Sequence, residues 1–517
     1  MKKLPIGIST LSSIIDDGYV YVDKTAYVQQ LVESGKYYFL SRPRRFGKSL
    51  LVDTLQQLFA GNEPLFRGLH IHPHWDWSVQ YPVIVINFAA GFLKSREELD
   101  KRIRFILRLN QQRLGLTCAD QDDPASCFTD LIHAAKAKYG QDVVILIDEY
   151  DKPMLDSITD QAVMDEMRDG LKNLYSVIKG QDAHIRFVLL TGVSKFSKVS
   201  IFSGLNNLQD ITLSPAYSAL CGYSQCELEH YFGGHLQGVN MEDVQSWYNG
   251  YNWLGESVYN PFDILLFISN GKQFRNYWFE TGTPGFLVDL LKTRYYHLPD
   301  FEAIEASEAQ LGDFDMQHIQ LETLLFQTGY LTIKRTDTLF EEPIFLLSYP
   351  NREVRSSFNQ MVMGRYLTEQ LPERLPFLRA LLKNDFASLQ QRFTLLFDNI
   401  AHQNYTQNNI AHYEGYYAAV MYSFICALGL DTVVEDSHNK GRIDLALRFR
   451  LPDGQRQVYI FEFKVLDGDQ PDGSAMQQIK DKDYAAKYRD GQNRIFLIGI
   501  EFSKITRNII GFEWEQA

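Results

Sequence analysis

One interval restricts the fold of this chain more than any other. The apolar run Lys36-Tyr37-Tyr38-Phe39-Leu40 leads through Arg42-Pro43-Arg44-Arg45-Phe46-Gly47-Lys48-Ser49 into residues 49–59, where Leu51, Leu55, Leu58 and Phe59 are spaced for one helical face. A strand that turns through glycine into a helix leaves the first backbone N–H groups of that helix unpaired and aimed at one spot. Such a turn cradles phosphate, with Lys48 reaching the β/γ-phosphates and Ser49 offering a hydroxyl to Mg²⁺. Arg42 stands where such loops usually begin with glycine, and a bare Gly-Lys-Ser is common by chance. The interval therefore needs a second motif.

Residues 143–147 supply it: an apolar strand ending in Asp148 and Glu149. Residues 82–88 and 185–190 are equally apolar, and helical patterns separate them, as in a parallel sheet covered on both faces. Carboxylates at the end of such a strand sit where ligands bind in open α/β sheets. Asp148 is expected to hold Mg²⁺ and Glu149 to polarise the attacking water of an ATP hydrolysis. Thr191, after the next strand, is placed to sense the γ-phosphate. Arg42, Arg44 and Arg45 are expected to bring three guanidiniums beside the phosphates. Lys195 and Lys198 read as solvated charges.

At 517 residues the chain exceeds one core and suggests about three domains. The expected division is a P-loop α/β domain over residues 1–215, a mainly helical middle region over 216–400 without recognisable chemistry, and a second α/β domain over 401–517. A net charge of -13 argues against a protein coated for non-specific nucleic-acid binding, so any DNA or RNA contact has to be local. No apolar stretch approaches 18 residues and no cleavable leader is recognisable, so a cytoplasmic protein without a membrane partner is expected. Five scattered cysteines without a Cys-x-x-Cys pair read as reduced thiols. Cys221, Cys226 and His230 lack a fourth zinc ligand, and His70, His72 and His74 flank Pro73 in what reads as an irregular surface segment.

The combination of Tyr21-Val22-Asp23-Lys24-Thr25, the loop at residues 42–49, Leu146-Ile147-Asp148-Glu149-Tyr150-Asp151, Thr191-Gly192-Val193, and the strings at residues 201–207, 247–251 and 258–261 resembles the bacterial AAA-ATPase-like family. Members of that family typically carry a C-terminal domain of the PD-(D/E)XK nuclease superfamily. The arginine in place of the first P-loop glycine is a family trait. The resemblance implies ATP and Mg²⁺ as cofactors. Ring-forming relatives make a homo-oligomer conceivable, and no sequence feature fixes one.

The C-terminal residues fit the second half of the resemblance. Asp444 opens an apolar strand, and Glu462 and Lys464, two apart in Tyr459-Ile460-Phe461-Glu462-Phe463-Lys464, share one strand face. Asp444 and Glu462 offer hard oxygen ligands to Mg²⁺, and Lys464 can orient or deprotonate water. Glu414, on the preceding helix, resembles the extra acid of many superfamily members. Gln477, Lys480 and Tyr484 fall on one helical face, with Gln478 as an equal alternative to Gln477. Residues 401–517 hold 13 Lys/Arg against 16 Asp/Glu, a poor surface for tight DNA binding. Two functions follow: an ATP-regulated, Mg²⁺-dependent nuclease, or an ATP-driven switch or scaffold whose nuclease-like domain only binds. A small-molecule kinase would leave the middle and C-terminal regions without a role.

Overall fold

The computed structural model describes residues 1–118, 122–158, 160–195, 205, 207–278, 298–312, 320–366, 373–400, 414–438, 441–451, 453–489 and 493–517, without the side chains of 298, 365–366, 414–415, 431–438 and 441–443. Two compact units emerge. The first comprises Met1–Val288 and Ile304–Asn351, the second Asp289–Ala303 and Arg352–Ala517. The residues expected as a helical middle region thus divide between them.

The first unit is built on five strands: β1 (Tyr37–Ser41), β2 (Val83–Asn87), β3 (Val143–Asp148), β4 (Ile185–Gly192) and the short β5 (Gln209–Asp210). They lie in the order β2-β3-β4-β1-β5, every pairing parallel. Every residue of β1 and β3 is buried, which explains runs without polar alternation. Each buried Leu, Ile or Val contributes about 1.5–3 kcal/mol, so these strands anchor the unit. The expected strand over residues 36–40 sits one residue later, and the expected helix starts at Lys48 as Lys48–Phe59. Gly47 precedes it with φ +97°, a turn that side chains resist.

Helices Arg96–Leu114 and Pro124–Tyr139 pack against β2 and β3, respectively. Cys118, after the first helix, and Cys127, within the second, form a disulfide with Cα atoms 5.3 Å apart. This corrects the expectation of reduced thiols for that pair, whose Cα atoms stand within bridging range. Cys221, Cys226 and Cys426 form no disulfide. A second sheet, of β6 (Ile304–Ser307), β7 (Thr332–Leu339) and β8 (Glu342–Ser348) in the order β6-β8-β7, interrupts the helical middle region. Among the described residues no helix is long and apolar enough to cross a membrane.

The second unit carries a mixed sheet of β9 (Asp431–His438), β10 (Gly441–Arg450), β11 (Arg456–Leu466), β12 (Asn493–Ser503) and β13 (Ile509–Gln516), ordered β13-β12-β11-β10-β9. Only β11 and β12 pair in parallel. The helix Ser474–Lys482 joins these two, because parallel neighbours need a crossover. Ala446, Val458, Ile460, Ile495 and Leu497 meet Met476, Ile479 and Tyr484 in one core beneath it. Three strands precede this helix and two follow it.

Candidate functional site

In the first unit the loop after β1 and the loops after β3 and β4 converge. Ser49 Oγ, in the first turn of Lys48–Phe59, donates to Asp148 Oδ2 at 2.7 Å, and Thr191 Oγ1 donates to Asp148 Oδ1 at 2.7 Å. Asn87 Nδ2 adds a 3.2 Å contact to Oδ2. Asp148 and Thr191 are fully buried behind a cavity of about 480 Å³, within the range of small-ligand pockets. Arg44, Arg45, Gly47, Lys48, Ser49 and Glu149 line its polar wall, while Ile8, Val22, Leu51 and Phe262 contribute apolar surface suited to a base.

Lys48 Nζ donates to the carbonyls of Arg42 and Pro43 at 2.8 and 2.9 Å. Burial lowers its pKa, so an incoming anion that competes with those carbonyls also relieves a desolvated charge. Glu149 is half-buried and holds φ +53°, a left-handed conformation that costs an acidic side chain about 1–2 kcal/mol. The following residues enforce it. Tyr150 N donates to Thr191 O at 3.1 Å, and the buried Asp151 carboxylate accepts from the backbone of Val193 at 3.0 Å and Ser194 at 2.6 Å. Burial, and then the neighbouring Asp148, raise the Glu149 pKa, as suits a proton acceptor.

Arg42 does not join Arg44 and Arg45 at the cavity. Its buried guanidinium donates to the carbonyls of Ser41, Thr212 and Tyr217 at 2.8, 2.9 and 3.1 Å and stacks 4.1 Å over Trp253, while burial lowers its pKa to about 10. Arg45 lies 4.6 Å over Phe262. Pro43 packs where a Cβ on Gly329 would come within 2.8 Å, and Phe46 meets Tyr251 edge-on at 4.7 Å. The aromatic strings of the middle region, in which the sequence showed no chemistry, thus clamp the phosphate loop from outside. Lys195 pairs with Asp210 at 2.5 Å, and Lys198 and residues 201–204 and 206 lie outside the described residues.

The Tyr21–Thr25 string is a brace for the cavity wall. Lys24 Nζ donates to Ala219 O at 2.8 Å and Glu227 Oε2 at 2.6 Å, and Asp23 accepts from the backbone of Thr25 at 2.8 Å and His70 at 2.7 Å. His70 stacks on His74 and His72 meets Glu63 at 3.1 Å; among the described residues no cluster of three His, Cys, Asp or Glu forms a metal site.

In the second unit β10 and β11 pair with Leu445 opposite Phe461, which sets Asp444 beside Glu462. Asp444 Oδ2 accepts from Phe463 N at 2.9 Å, and Lys464 Nζ stands 3.9 Å from Glu462 Oε1. Glu462 is buried. Gln478 donates to Glu462 Oε1, and Tyr484 shares a hydrogen bond with Gln478 and feels Glu462, Asp444 and Lys464. Burial is the main cause of its raised pKa. Of the two glutamines left open by the sequence, Gln478 faces the carboxylates. Gln477 turns to Asp481 at 2.7 Å, and Lys480 pairs with Glu515 at 2.5 Å. Glu414 opens the helix Glu414–Ala427, and its side chain lies outside the described residues.

The carboxylates of Asp444 and Glu462 are hard oxygen donors, which fit Mg²⁺ completed by water and phosphate oxygens. Ser49 Oγ and Asp148 Oδ2 form a comparable set in the first unit.

Residues 5–202 match the family described as predicted AAA-ATPase, and residues 412–512 match the PD-(D/E)XK nuclease superfamily. The chain is also 50% identical over 515 residues to the uncharacterized protein in the vnfD 5'region of Azotobacter chroococcum mcd 1, an alignment covering 99% of this chain and 98% of that relative. With both matches falling on the two sites just described, the chain belongs to the AAA-ATPase-like family with a C-terminal PD-(D/E)XK nuclease superfamily domain.

Proposed function

We propose that this protein binds and hydrolyses ATP at the first site and that its nucleotide state governs a Mg²⁺-dependent phosphodiester cleavage of nucleic acid at the second. The observation that carries the reading is the convergence of Asp444, Glu462 and Lys464, from two strands, at one point supported by Gln478 and Tyr484. A lysine beside one buried and one half-buried acid is an unfavourable way to build a sheet core and a useful way to build a hydrolytic site.

At the first site the backbone N–H groups at the start of Lys48–Phe59 and the Lys48 ammonium receive the phosphates. Glu149 accepts the proton of the attacking water, and Thr191 holds Asp148 so that it faces Ser49. At the second site a bound Mg²⁺ supplies Lewis-acid stabilisation of the phosphoryl oxygens. Asp444 and Glu462 would hold it, and Lys464 orients the water.

The test is a screen of the full chain against single- and double-stranded DNA and RNA with Mg²⁺ or Mn²⁺, with and without ATP. Cleavage that responds to nucleotide and disappears in Glu462→Ala supports the reading. Inactivity under every condition sinks it and favours a nucleotide-driven switch with a binding-only C-terminal domain.

A further inference from the structure

We infer that Gly499 and Glu501, two residues of β12 outside the carboxylate and lysine set, are positioning residues that seat the helix Ser474–Lys482 so that Gln478 fixes the carboxylate of Glu462. The inference rests on reading Asp444 and Glu462 as metal ligands.

The sheet register places them. Glu462 lies opposite Gly499 and Lys464 opposite Glu501 along the parallel β11/β12 pair, so both β12 residues share the face that carries the site. At Gly499 the helix rests directly on the strand. A Cβ there would stand 2.6 Å from Met476 N and 3.0 Å from Met476 Cα, backbone atoms that cannot swing aside. The φ of Gly499 is unremarkable, so this glycine is required by close approach alone. Any side chain at 499 lifts the helix, and Gln478 rises with it.

Glu501 holds the end of the same helix. A helix N-terminus exposes backbone N–H groups that a capping side chain normally receives. Here the N-cap residue is Gly473, which has no side chain to offer. The buried carboxylate of Glu501 reaches across from β12 instead: Oε2 accepts from Asp472 N at 3.0 Å, and Oε1 accepts from Ala475 N at 3.2 Å and Ser474 Oγ at 3.3 Å. Gly511 on β13 keeps room for it, since a Cβ there would meet Glu501 Oε2 at 2.8 Å. The first residues of the helix are thereby tied to the strand next to Lys464. One turn later Gln478 donates to Glu462 Oε1. Fixing both the height and the end of a helix fixes where that amide arrives, and the orientation of a ligating carboxylate depends on such a partner.

Mn²⁺ binding by the full chain, measured calorimetrically in wild type, Glu501→Gln, Gly499→Ala, Gln478→Ala and the double variant Glu501→Gln/Gln478→Ala, tests this. The thermal unfolding transitions of the full chain, followed by circular dichroism and compared with wild type, serve as the folding control. Each single change is expected to weaken Mn²⁺ binding about tenfold, the lower end for residues supporting metal ligands. The double variant is expected to bind no more weakly than Gln478→Ala alone, because Glu501 acts through Gln478. A merely structural Glu501 would give the product of the two losses, and that result overturns the inference. So does wild-type affinity in a folded Glu501→Gln or Gly499→Ala chain; if one of these does not fold, the other decides. Should wild type and Glu462→Ala bind Mn²⁺ equally, the metal reading itself fails and the inference falls with it.

Discussion

The phosphate-loop site and the strand site use the same parts, one lysine and two acids, and assemble them by opposite means. In the first unit the residues stand where chain leaves the sheet: Lys48 opens a helix, Asp148 ends a strand and Glu149 follows it. The backbone pays for that placement with left-handed residues at Arg45, Gly47 and Glu149, held by an aromatic clamp and by Asp151. In the second unit Asp444, Glu462 and Lys464 all lie within extended strands, and none has a positive φ. Their meeting depends on sheet register and on one helix seated against it. A loop site therefore depends on local strain and its clamps, whereas a strand site depends on the pairing of elements distant in sequence.

That contrast can be broken most directly at Glu149. Glu149→Gln is expected to slow ATP hydrolysis by a factor on the order of 10² to 10⁴ while ATP stays bound and Mn²⁺ affinity of the second unit is unchanged. Equal losses of ATP affinity and turnover would make Glu149 a structural residue. Lys464→Met probes the other site: both carboxylates remain, so Mn²⁺ binding should persist while cleavage falls on the order of 10²-fold. Normal cleavage in Lys464→Met alongside an inactive Glu462→Ala would remove the lysine from the mechanism. Arg42→Met sharpens the role of the clamp. It takes the guanidinium from three buried carbonyls, of which Tyr217 O keeps the Leu220 N–H at 3.2 Å, and should destabilise the first unit by roughly 2–4 kcal/mol, read from urea unfolding with and without ATP. A change within about 0.5 kcal/mol would mean that water replaces the guanidinium.

Much of both sites was legible because each has a local signature. The loop announces itself by a glycine and lysine between strand and helix, and the strand site by two charges at alternate positions in an apolar run. What was not legible depends on direction or on distant pairing. Three arginines in a phosphate loop look alike in sequence, and only the carbonyls at Ser41, Thr212 and Tyr217 turn Arg42 away from the cavity. Gln477 and Gln478 differ by about 100° around a helix, so the choice between them needs the seat of that helix on β12. Glu501 gave no signal, because its partners are backbone N–H groups rather than a spaced motif. That Tyr251, Trp253 and Gly329 clamp the loop follows only from the fold that brings them against Phe46 and Pro43.

The smallest expected effect separates the two sites by pH. Burial and the adjacent Asp148 raise the pKa of Glu149, whose carboxylate must be ionised to accept a proton. ATP hydrolysis by wild type should therefore rise with pH along a limb displaced upward from the ordinary carboxylate range, and Glu149→Gln should lack that limb in its residual rate. Stability moves with the opposite sign. A carboxyl whose folded pKa lies above its unfolded value favours the fold when protonated, so its contribution is fully present below the unfolded pKa and is lost as pH rises through the folded one. Glutamine mimics the protonated form at every pH. Chemical denaturation of the ATP-free chain should thus show Glu149→Gln gaining on wild type as pH rises from the ordinary carboxylate range through the raised pKa, and levelling off above it. A stability difference independent of pH across that window would mean that Glu149 is no more desolvated in the fold than in the unfolded chain, and the limb in the hydrolysis profile would then belong to another group.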